Sequence, residues 1–359
     1  MKKKVVVAMS GGVDSSLTAA LLKEQGYEVI GVTMQIWPSD DPAKEEDNGG
    51  CCSLSAVNDA RRVADTLDIP FYVMNFRDLF EKKVIDLFVR EYLAGYTPNP
   101  CIACNRFIKF DAFLNKAIAL GAEYIATGHY ARIFYVQKYG RFVIKRAEDT
   151  RKDQTYVLYN MTQEQLSRTM MPLGDYTKDE VRKMAASYDL KVANKPESQE
   201  ICFVTDNDYH RFLRERAGSR IEPGPFLDTA GNELGQHSGM AFYTVGQRKG
   251  LGVTFGEPMY VVALDPERNA VILGRDNEVF GSELVSQDNN LVLYEKLEGE
   301  TFVQVKIRYS AKPADARIYP LEDGKMRVTF VEPQRAITPG QAVVYYEGDY
   351  VVGGGTIIR

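Results

Sequence analysis

Apolar residues along the first third of the chain alternate between short continuous runs and helically spaced sets. Val5-Val6-Val7-Ala8-Met9 has the length and character of a buried strand, and Leu17, Ala20 and Leu21 follow at helical spacing. Residues 28–34 and 69–74 read as second and third strands. Ala56, Ala60, Val63, Ala64 and Leu67 mark one helix between them, and Val84, Leu87, Phe88 and Tyr92 mark the next. A further helix presents Phe110, Phe113, Leu114, Ala117 and Ile118, and residues 123–126 make another strand. Strands that alternate with helices predict an α/β doubly wound parallel sheet, in which ligands bind beyond the carboxyl ends of the strands.

From residue 132 the pattern changes. Apolar positions alternate with Lys138, Arg141, Lys145, Arg146, Arg151 and Lys152 around a Tyr139-Gly140 turn, which predicts a hairpin with a basic surface. Helices are expected at 163–169, 177–188 and 209–216. Glycine and proline then become frequent and short β-prone runs take over at 241–245, 259–264, 270–273, 302–307, 327–330 and 341–346, an all-β region of two small barrels or sheets. The expected division is 1–205, 206–277 and 278–359.

A chain of 359 residues with 45% hydrophobic residues has ample material for two or three cores. Its net charge of −5 argues against indiscriminate nucleic-acid binding and leaves room for a local basic face. The N-terminal apolar run ends at Ser10-Gly11-Gly12, too soon for an export signal, and no stretch is long enough to span a membrane, so no membrane partner is expected. The expected location is the cytoplasm, where the five cysteines would be thiols, metal ligands or redox groups rather than structural disulfides. Cys51-Cys52, after a polar stretch at 38–50, have no metal-ligand spacing of their own and are read as structural.

Ser10-Gly11-Gly12-Val13-Asp14-Ser15-Ser16 falls where the first strand hands over to the first helix. Glycines there let the backbone approach a ligand closely, and helix N-terminal N–H groups favour phosphate. The stretch is neither a Walker A loop nor Gly-x-Gly-x-x-Gly. Two separated loops carry thiols. Cys104, in Asn99-Pro100-Cys101-Ile102-Ala103-Cys104, lies near a helix start with Arg106 and Lys109 close in sequence, a setting that favours thiolate; nucleophile, metal ligand and buried thiol pair all fit. Cys202, in the polar loop 195–203, is a candidate reactive thiol. His129 alone, at a strand end, reads as structural.

S-G-G-V-D-S-S resembles the PP-loop of the ATP pyrophosphatase superfamily. With N-P-C-I-A-C-N, A-T-G-H-Y-A, K-D-Q-T-Y, S-Q-E-I-C-F and Y-T-V-G-Q-R-K-G-L-G, in that order over most of the chain, the sequence resembles the bacterial tRNA-specific 2-thiouridylases. That resemblance implies ATP-dependent adenylation of the C2 oxygen of the wobble uridine in tRNAs for Lys, Glu and Gln, followed by its replacement with sulfur. It implies ATP contacts at Ala8, Met9, Ser10, Gly11, Gly12, Val13, Asp14, Ser15, Met34 and Gly128, with Asp14 helping to hold Mg²⁺. Asn99, Pro100 and Cys101 would meet the target base. His129, Lys152, Asp153, Gln154, Arg308, Tyr309 and Gln341 would contact tRNA, and residues 246–249 could touch phosphate. Cys202 would carry a persulfide received from a cysteine desulfurase or sulfur-carrier protein, with Cys104 as the partner nucleophile.

Several well-known members of that family have Asp where this chain has Cys101, so an acid/base role there is in doubt. Cys101, Cys104 and Cys202 instead form a three-thiol set that could hold a 4Fe–4S cluster or a zinc ion. At the level of sequence the persulfide and cluster routes both remain open. Two rivals account for less: another PP-loop synthetase leaves the two thiols without work, and a non-catalytic RNA-binding protein leaves the nucleotide loop without work.

Overall fold

The computed structural model describes residues 2–36, 54–193, 195, 201–204, 206–252 and 256–358. Cys51, Cys52 and the polar stretch 38–50 lie outside the described residues.

The first strands are β1 (Lys4–Ala8), β2 (Glu28–Gln35), β3 (Phe71–Asn75), β4 (Tyr124–Ala126), the pair β5 (Arg132–Val136) and β6 (Arg141–Lys145), and β7 (Thr169–Met170). Five of them form a parallel sheet in the order β3-β2-β1-β4-β7, with Val5 facing Val29 on one side and Tyr124 on the other. The apolar run at β1 is explained by its central place. Val5 and Val7 enter the core built with Leu17, Leu21, Val63 and Val181, whereas Val6 enters the opposite core with Phe80, Phe88, Phe110 and Phe113. Helices therefore cover both faces of the sheet, as the alternation of elements predicts.

Two long helices have a π-helical middle. Residues 77–93 run as Arg77–Phe80, Glu81–Ile85 and Asp86–Leu93; residues 100–119 run as Pro100–Ala103, Cys104–Phe113 and Leu114–Ala119. Such wide turns recur near functional sites.

The remaining strands form two further units. β8 (Gly224–Asp228), β9 (Glu233–His237), β10 (Tyr260–Asp265) and β11 (Ala270–Gly274) make a sheet in the order β10-β11-β8-β9. β12 (Phe280–Leu291), β13 (Thr301–Lys306), β14 (Ala314–Pro320), β15 (Met326–Arg335), β16 (Ala342–Glu347) and β17 (Tyr350–Ile357) close into a barrel, order β12-β15-β14-β13-β16-β17, with β17 pairing back onto β12. Among the described residues no helix is long and apolar enough to cross a membrane.

Three findings differ from the sequence pattern. The hairpin β5–β6 forms, but it extends the barrel's sheet through Tyr350–Lys145 pairing rather than standing as a free basic face. Four cations of the run 132–152 have partners within the chain: Arg132 with Glu148, Arg141 with the carbonyls of Leu291 and Val292, Lys145 with Asp349, and Arg151 with Asp149. Residues 241–245 are not a strand. Met240–Phe242 form a 3₁₀ turn whose three residues are buried, so the apolar run there fills the core from a turn and not from a strand.

Candidate active site

Beyond the carboxyl ends of β1, β2 and β4 lies a cavity of about 350 Å³. Its wall brings together Ala8, Met9, Ser10, Asp14, Ser15 and Met34 from the first two strands and the intervening turn, Gly128 and His129 from the end of β4, and Pro100, Cys101, Cys104, Gln154 and Cys202. The nucleotide loop and all three cysteines outside the 51–52 pair thus share one space.

Local chemistry shapes the loop. Ser15 Oγ accepts from Ser10 N (3.1 Å) and Ser16 Oγ donates to Gly12 O (2.8 Å), so two of the serines hold the turn itself. Gly12 caps the helix Val13–Glu24 without a side-chain hydrogen bond, so no side chain of the cap takes up its first-turn N–H groups. Gly128 seals the other side: a Cβ there would stand 2.8 Å from both Asp14 C and Ser15 N, a distance real side chains do not tolerate.

Asp14 is held by two side chains through three contacts. Lys178 Nζ lies 2.8 Å from each carboxylate oxygen, and the Tyr130 hydroxyl donates to Oδ1 at 2.7 Å. Lys178 begins the helix Lys178–Ser187, and its backbone N–H is received by the buried Asp149 (3.1 Å). Nothing in the sequence marks this lysine, which looks like any charged first-turn residue. Its ammonium group pairs with both carboxylate oxygens, so Asp14 is fixed in place at the cavity wall. Lys195 fixes the root of the second cysteine loop by donating to Gly11 O (3.2 Å) and pairing with Asp59 (2.6 Å).

The thiols are placed by ordinary helix and core physics. Asn99 is the N-cap of the helix that starts at Pro100: its side chain accepts from Cys101 N (3.1 Å) and Ile102 N (3.3 Å), and proline suits the first helical position. Cys101 is exposed and Cys104 half-buried. Cys202 is anchored by its neighbour Phe203, whose ring meets Phe80, Phe88 and Phe212 at 5.2–5.9 Å between centroids. Burying such a side chain is worth about 1.5–3 kcal/mol. Among the described residues no group of three or more His, Cys, Asp or Glu side chains is arranged to hold a metal ion. The three thiols line one cavity without forming such a set.

Several residues read from sequence as RNA contacts have intramolecular work. Asp153 accepts from Ala147 N and Thr155 Oγ1, and Gln154 pairs with the Tyr130 backbone in both directions at 2.9 Å, steadying the tyrosine that holds Asp14. Lys152 is half-buried, its N–H given to Asp149 O (3.0 Å). Arg308 donates to Arg335 O, Tyr309 reaches Asp153 O (3.2 Å), and Gln341 donates to Thr97 O (2.8 Å). Arg308, Tyr309 and Gln341 therefore lie outside the cavity wall, on the barrel where it meets the first unit. Wall residues that the sequence did not single out include Thr33, Phe80, Ile108, Thr127 and Phe203; their apolar or small side chains carry no chemical signature.

His129 is buried beside Thr127 Oγ1 (2.8 Å to Nδ1), and desolvation, with the Lys109 charge behind it, holds its imidazole well below the usual range. Burial also lowers His210 and His237; in His237, Nδ1 accepts from Gly239 N (3.1 Å), so Nε2 carries the proton and donates to Asn269 O. Folded values below the free histidine value of about 6.5 mean that the unfolded chain takes up protons first as pH falls. Their contribution is complete above about pH 6.5 and shrinks below it. The urea midpoint is expected to drop from about pH 7.5 to about pH 5.5; a flat or rising midpoint would contradict imidazoles held neutral by desolvation, two of them buried and His210 half-buried.

A doubly wound sheet ending in a serine- and glycine-rich anion turn, with two β-units behind it, defines a PP-loop protein of the HUP class. Family models agree segment by segment: one described as tRNA methyl transferase HUP domain matches residues 3–206, a tRNA methyl transferase PRC-barrel domain 210–275, and an aminomethyltransferase beta-barrel domain 282–357. The tRNA-specific 2-thiouridylase MnmA of Acetivibrio thermocellus is 61% identical over 356 residues, covering 99% of each chain. MnmA 1 of Thermoanaerobacter pseudethanolicus is 62% identical over 361 residues, 100% of this chain and 99% of its own. The chain belongs to the tRNA-specific 2-thiouridylase (MnmA) family. A looser likeness, TM-score 0.35 and 17% identity over 61% of this chain and 67% of the other, links it to the U34-tRNA thiolase NcsA of Methanococcus maripaludis with its 4Fe–4S cluster; at that distance it says nothing about a cluster in this chain.

Proposed function

We propose that this chain thiolates C2 of the wobble uridine in tRNAs for Lys, Glu and Gln, using ATP and a persulfide on Cys202. The observation that carries the reading is the single cavity shared by the nucleotide loop, Cys104 and Cys202. A carbonyl oxygen is a poor leaving group, so C2–O attacks the ATP α-phosphorus, pyrophosphate departs, and the oxygen now leaves as part of AMP. Sulfur follows as a nucleophile. Either Cys104 thiolate attacks Cys202 Sγ and releases hydrosulfide, which displaces AMP, or the terminal persulfide sulfur displaces AMP and Cys104 then cleaves the S–S bond. Both routes end in 2-thiouridine and a Cys104–Cys202 disulfide, so each turnover requires two electrons from a thiol reductant and a new sulfur from a cysteine desulfurase or carrier protein.

Target uridines in an anticodon loop are single-stranded and cheap to unstack, which suits a recessed cavity. Mg²⁺ enters with the ATP phosphates. A methyl transfer, the chemistry in the family models' descriptions, would need neither a phosphate-recognising turn nor a second thiol. The test is 2-thiouridine formation on unmodified tRNA with Mg-ATP and a persulfide donor, comparing metal-stripped protein with protein reconstituted anaerobically with iron and sulfide. Equal activity is expected; activity confined to the reconstituted protein would replace the persulfide route with a cluster.

A further inference from the structure

The helix that carries Cys104 presents a cation as well as thiols to the cavity. Its wall residues are Cys101, Cys104, Ile108 and Lys109. In a regular α-helix five positions turn a side chain about 140° away, which would take Lys109 off the face of Cys104. Residues Cys104–Phe113 are π-helical instead, and the i→i+5 bonding of that form returns positions five apart to neighbouring directions. Arg106, the other cation close to Cys104 in sequence, is exposed and lies over the Phe107 ring at 5.3 Å.

The roll of this segment is fixed on both sides of Lys109. Asn105 is buried and its Nδ2 donates to Val157 O (2.9 Å). Phe110 is fully buried, its ring 5.7 Å from the imidazole of His129 at the end of β4. Lys109 itself is half-buried, and its charge reaches His129. Among the described residues that line the cavity, Lys109 has the one cationic side chain. The one carboxylate, Asp14, is paired with Lys178, and His129 is held neutral by burial. A triphosphate brought into this space therefore meets a single positive side chain, on the helix that also bears the nucleophile.

The geometry points to Lys109 as a further catalytic residue, one that contacts the α-phosphate of ATP and stabilises AMP as it leaves. The attacked phosphorus must lie within reach of the thiols, because the carbon joined to it through oxygen later takes their sulfur. As uridine O2 bonds to phosphorus, the bond to pyrophosphate breaks, its electron pair leaves with pyrophosphate, and N3 gives its proton to solvent. At sulfur transfer the C2–O pair leaves on AMP and N3 is reprotonated. Lys109 stays an ammonium throughout and acts by charge, which is worth most in a water-poor site. The inference rests on the thiolation reading for the reaction, but not for the phosphate contact.

Lys109→Met, which removes the charge, and Lys109→Arg, which keeps it, are compared with the wild-type protein. Equilibrium dialysis of labelled AMP and of labelled adenosine, without tRNA, reads the phosphate contact as the ratio of the two affinities. Pyrophosphate release and 2-thiouridine formation in a single turnover read adenylation and sulfur transfer, and filter binding reads tRNA affinity. In Lys109→Met the preference for AMP over adenosine is expected to fall about tenfold with adenosine affinity unchanged, and pyrophosphate release to slow about thirtyfold, the scale of one charge-assisted hydrogen bond. Lys109→Arg should recover most of both, with tRNA affinity unchanged in either variant. Equal loss of AMP and adenosine binding would make the lysine structural. Weakened tRNA binding with an unchanged AMP preference would give it to an RNA phosphate, and normal pyrophosphate release with slow sulfur transfer would give it to the thiol. Each of these overturns the proposal, as does a wild-type protein that binds AMP no better than adenosine. Should Lys109→Met fail to fold, Lys109→Gln carries the same comparison. Since the dialysis needs neither RNA nor sulfur, a wild-type protein that preferred AMP yet made no 2-thiouridine would refute the thiolation reading and leave the phosphate contact standing.

Discussion

Cys202→Ser and Cys104→Ser are each expected to lower 2-thiouridine formation by at least about a thousandfold, the scale on which removal of a nucleophile acts, while tRNA binding is retained. Adenylation precedes sulfur transfer, so both variants should still release pyrophosphate once when given tRNA and ATP. The two differ in what they carry before tRNA and ATP are added: Cys104→Ser should hold a persulfide on Cys202, and Cys202→Ser should accept none. Wild-type protein loaded with persulfide but denied reductant should make one 2-thiouridine per chain and stop as the Cys104–Cys202 disulfide, which a non-reducing peptide map detects. Substantial turnover by Cys104→Ser would remove the partner nucleophile from the mechanism, and by Cys202→Ser the persulfide carrier.

Lys178→Met is expected to produce the largest effect of any substitution outside the cysteines. The lysine side chain is 7% exposed and faces the whole Asp14 carboxylate. Breaking a buried ion pair by removing one partner costs about 3–5 kcal/mol; with the Asp14 side chain still 28% exposed, the lower end applies. Chemical denaturation should show that loss, and pyrophosphate release should fall with it because Asp14 opens the helix behind the phosphate turn. Asp14→Asn combined with Lys178→Met removes the stranded charge, so stability should largely return while adenylation does not. Additive losses in the double variant would show that the two side chains act independently.

The nucleotide turn and the thiol loops were legible because their chemistry is local. Gly11, Gly12 and the serines lie within one short stretch, and Asn99-Pro100 is both motif and helix start. Periodicity found the helices of the first unit for the same reason: Ala56, Ala60, Val63, Ala64 and Leu67 all face a core that one helix turn defines. What stayed hidden is contributed from far along the chain. Lys178 meets Asp14 across 164 positions, and Gln341 meets Thr97 across 244. Neither pairing leaves a trace in residue type or spacing.

Strands in the β-units were missed where half-buried sheets tolerate polar residues. β8, β9, β12, β14 and β17 fall outside the expected runs; β9, Glu-Leu-Gly-Gln-His, and the Ser-Gln-Asp-Asn-Asn-Leu part of β12 carry too few branched or aromatic residues to signal a strand. The basic run from 132 to 152 gave only part of its place, because its charges suggested a free basic surface while its backbone extends the barrel's sheet beyond β17.

The central claim is that the uridine oxygen departs on AMP as sulfur arrives. Unmodified tRNA bearing ¹⁸O at C2 of the wobble uridine, incubated with Mg-ATP, persulfide donor and the wild-type protein, tests it directly. The account predicts one ¹⁸O in each AMP released for every 2-thiouridine formed. Formation of 2-thiouridine with unlabelled AMP, or labelled water in its place, would contradict it.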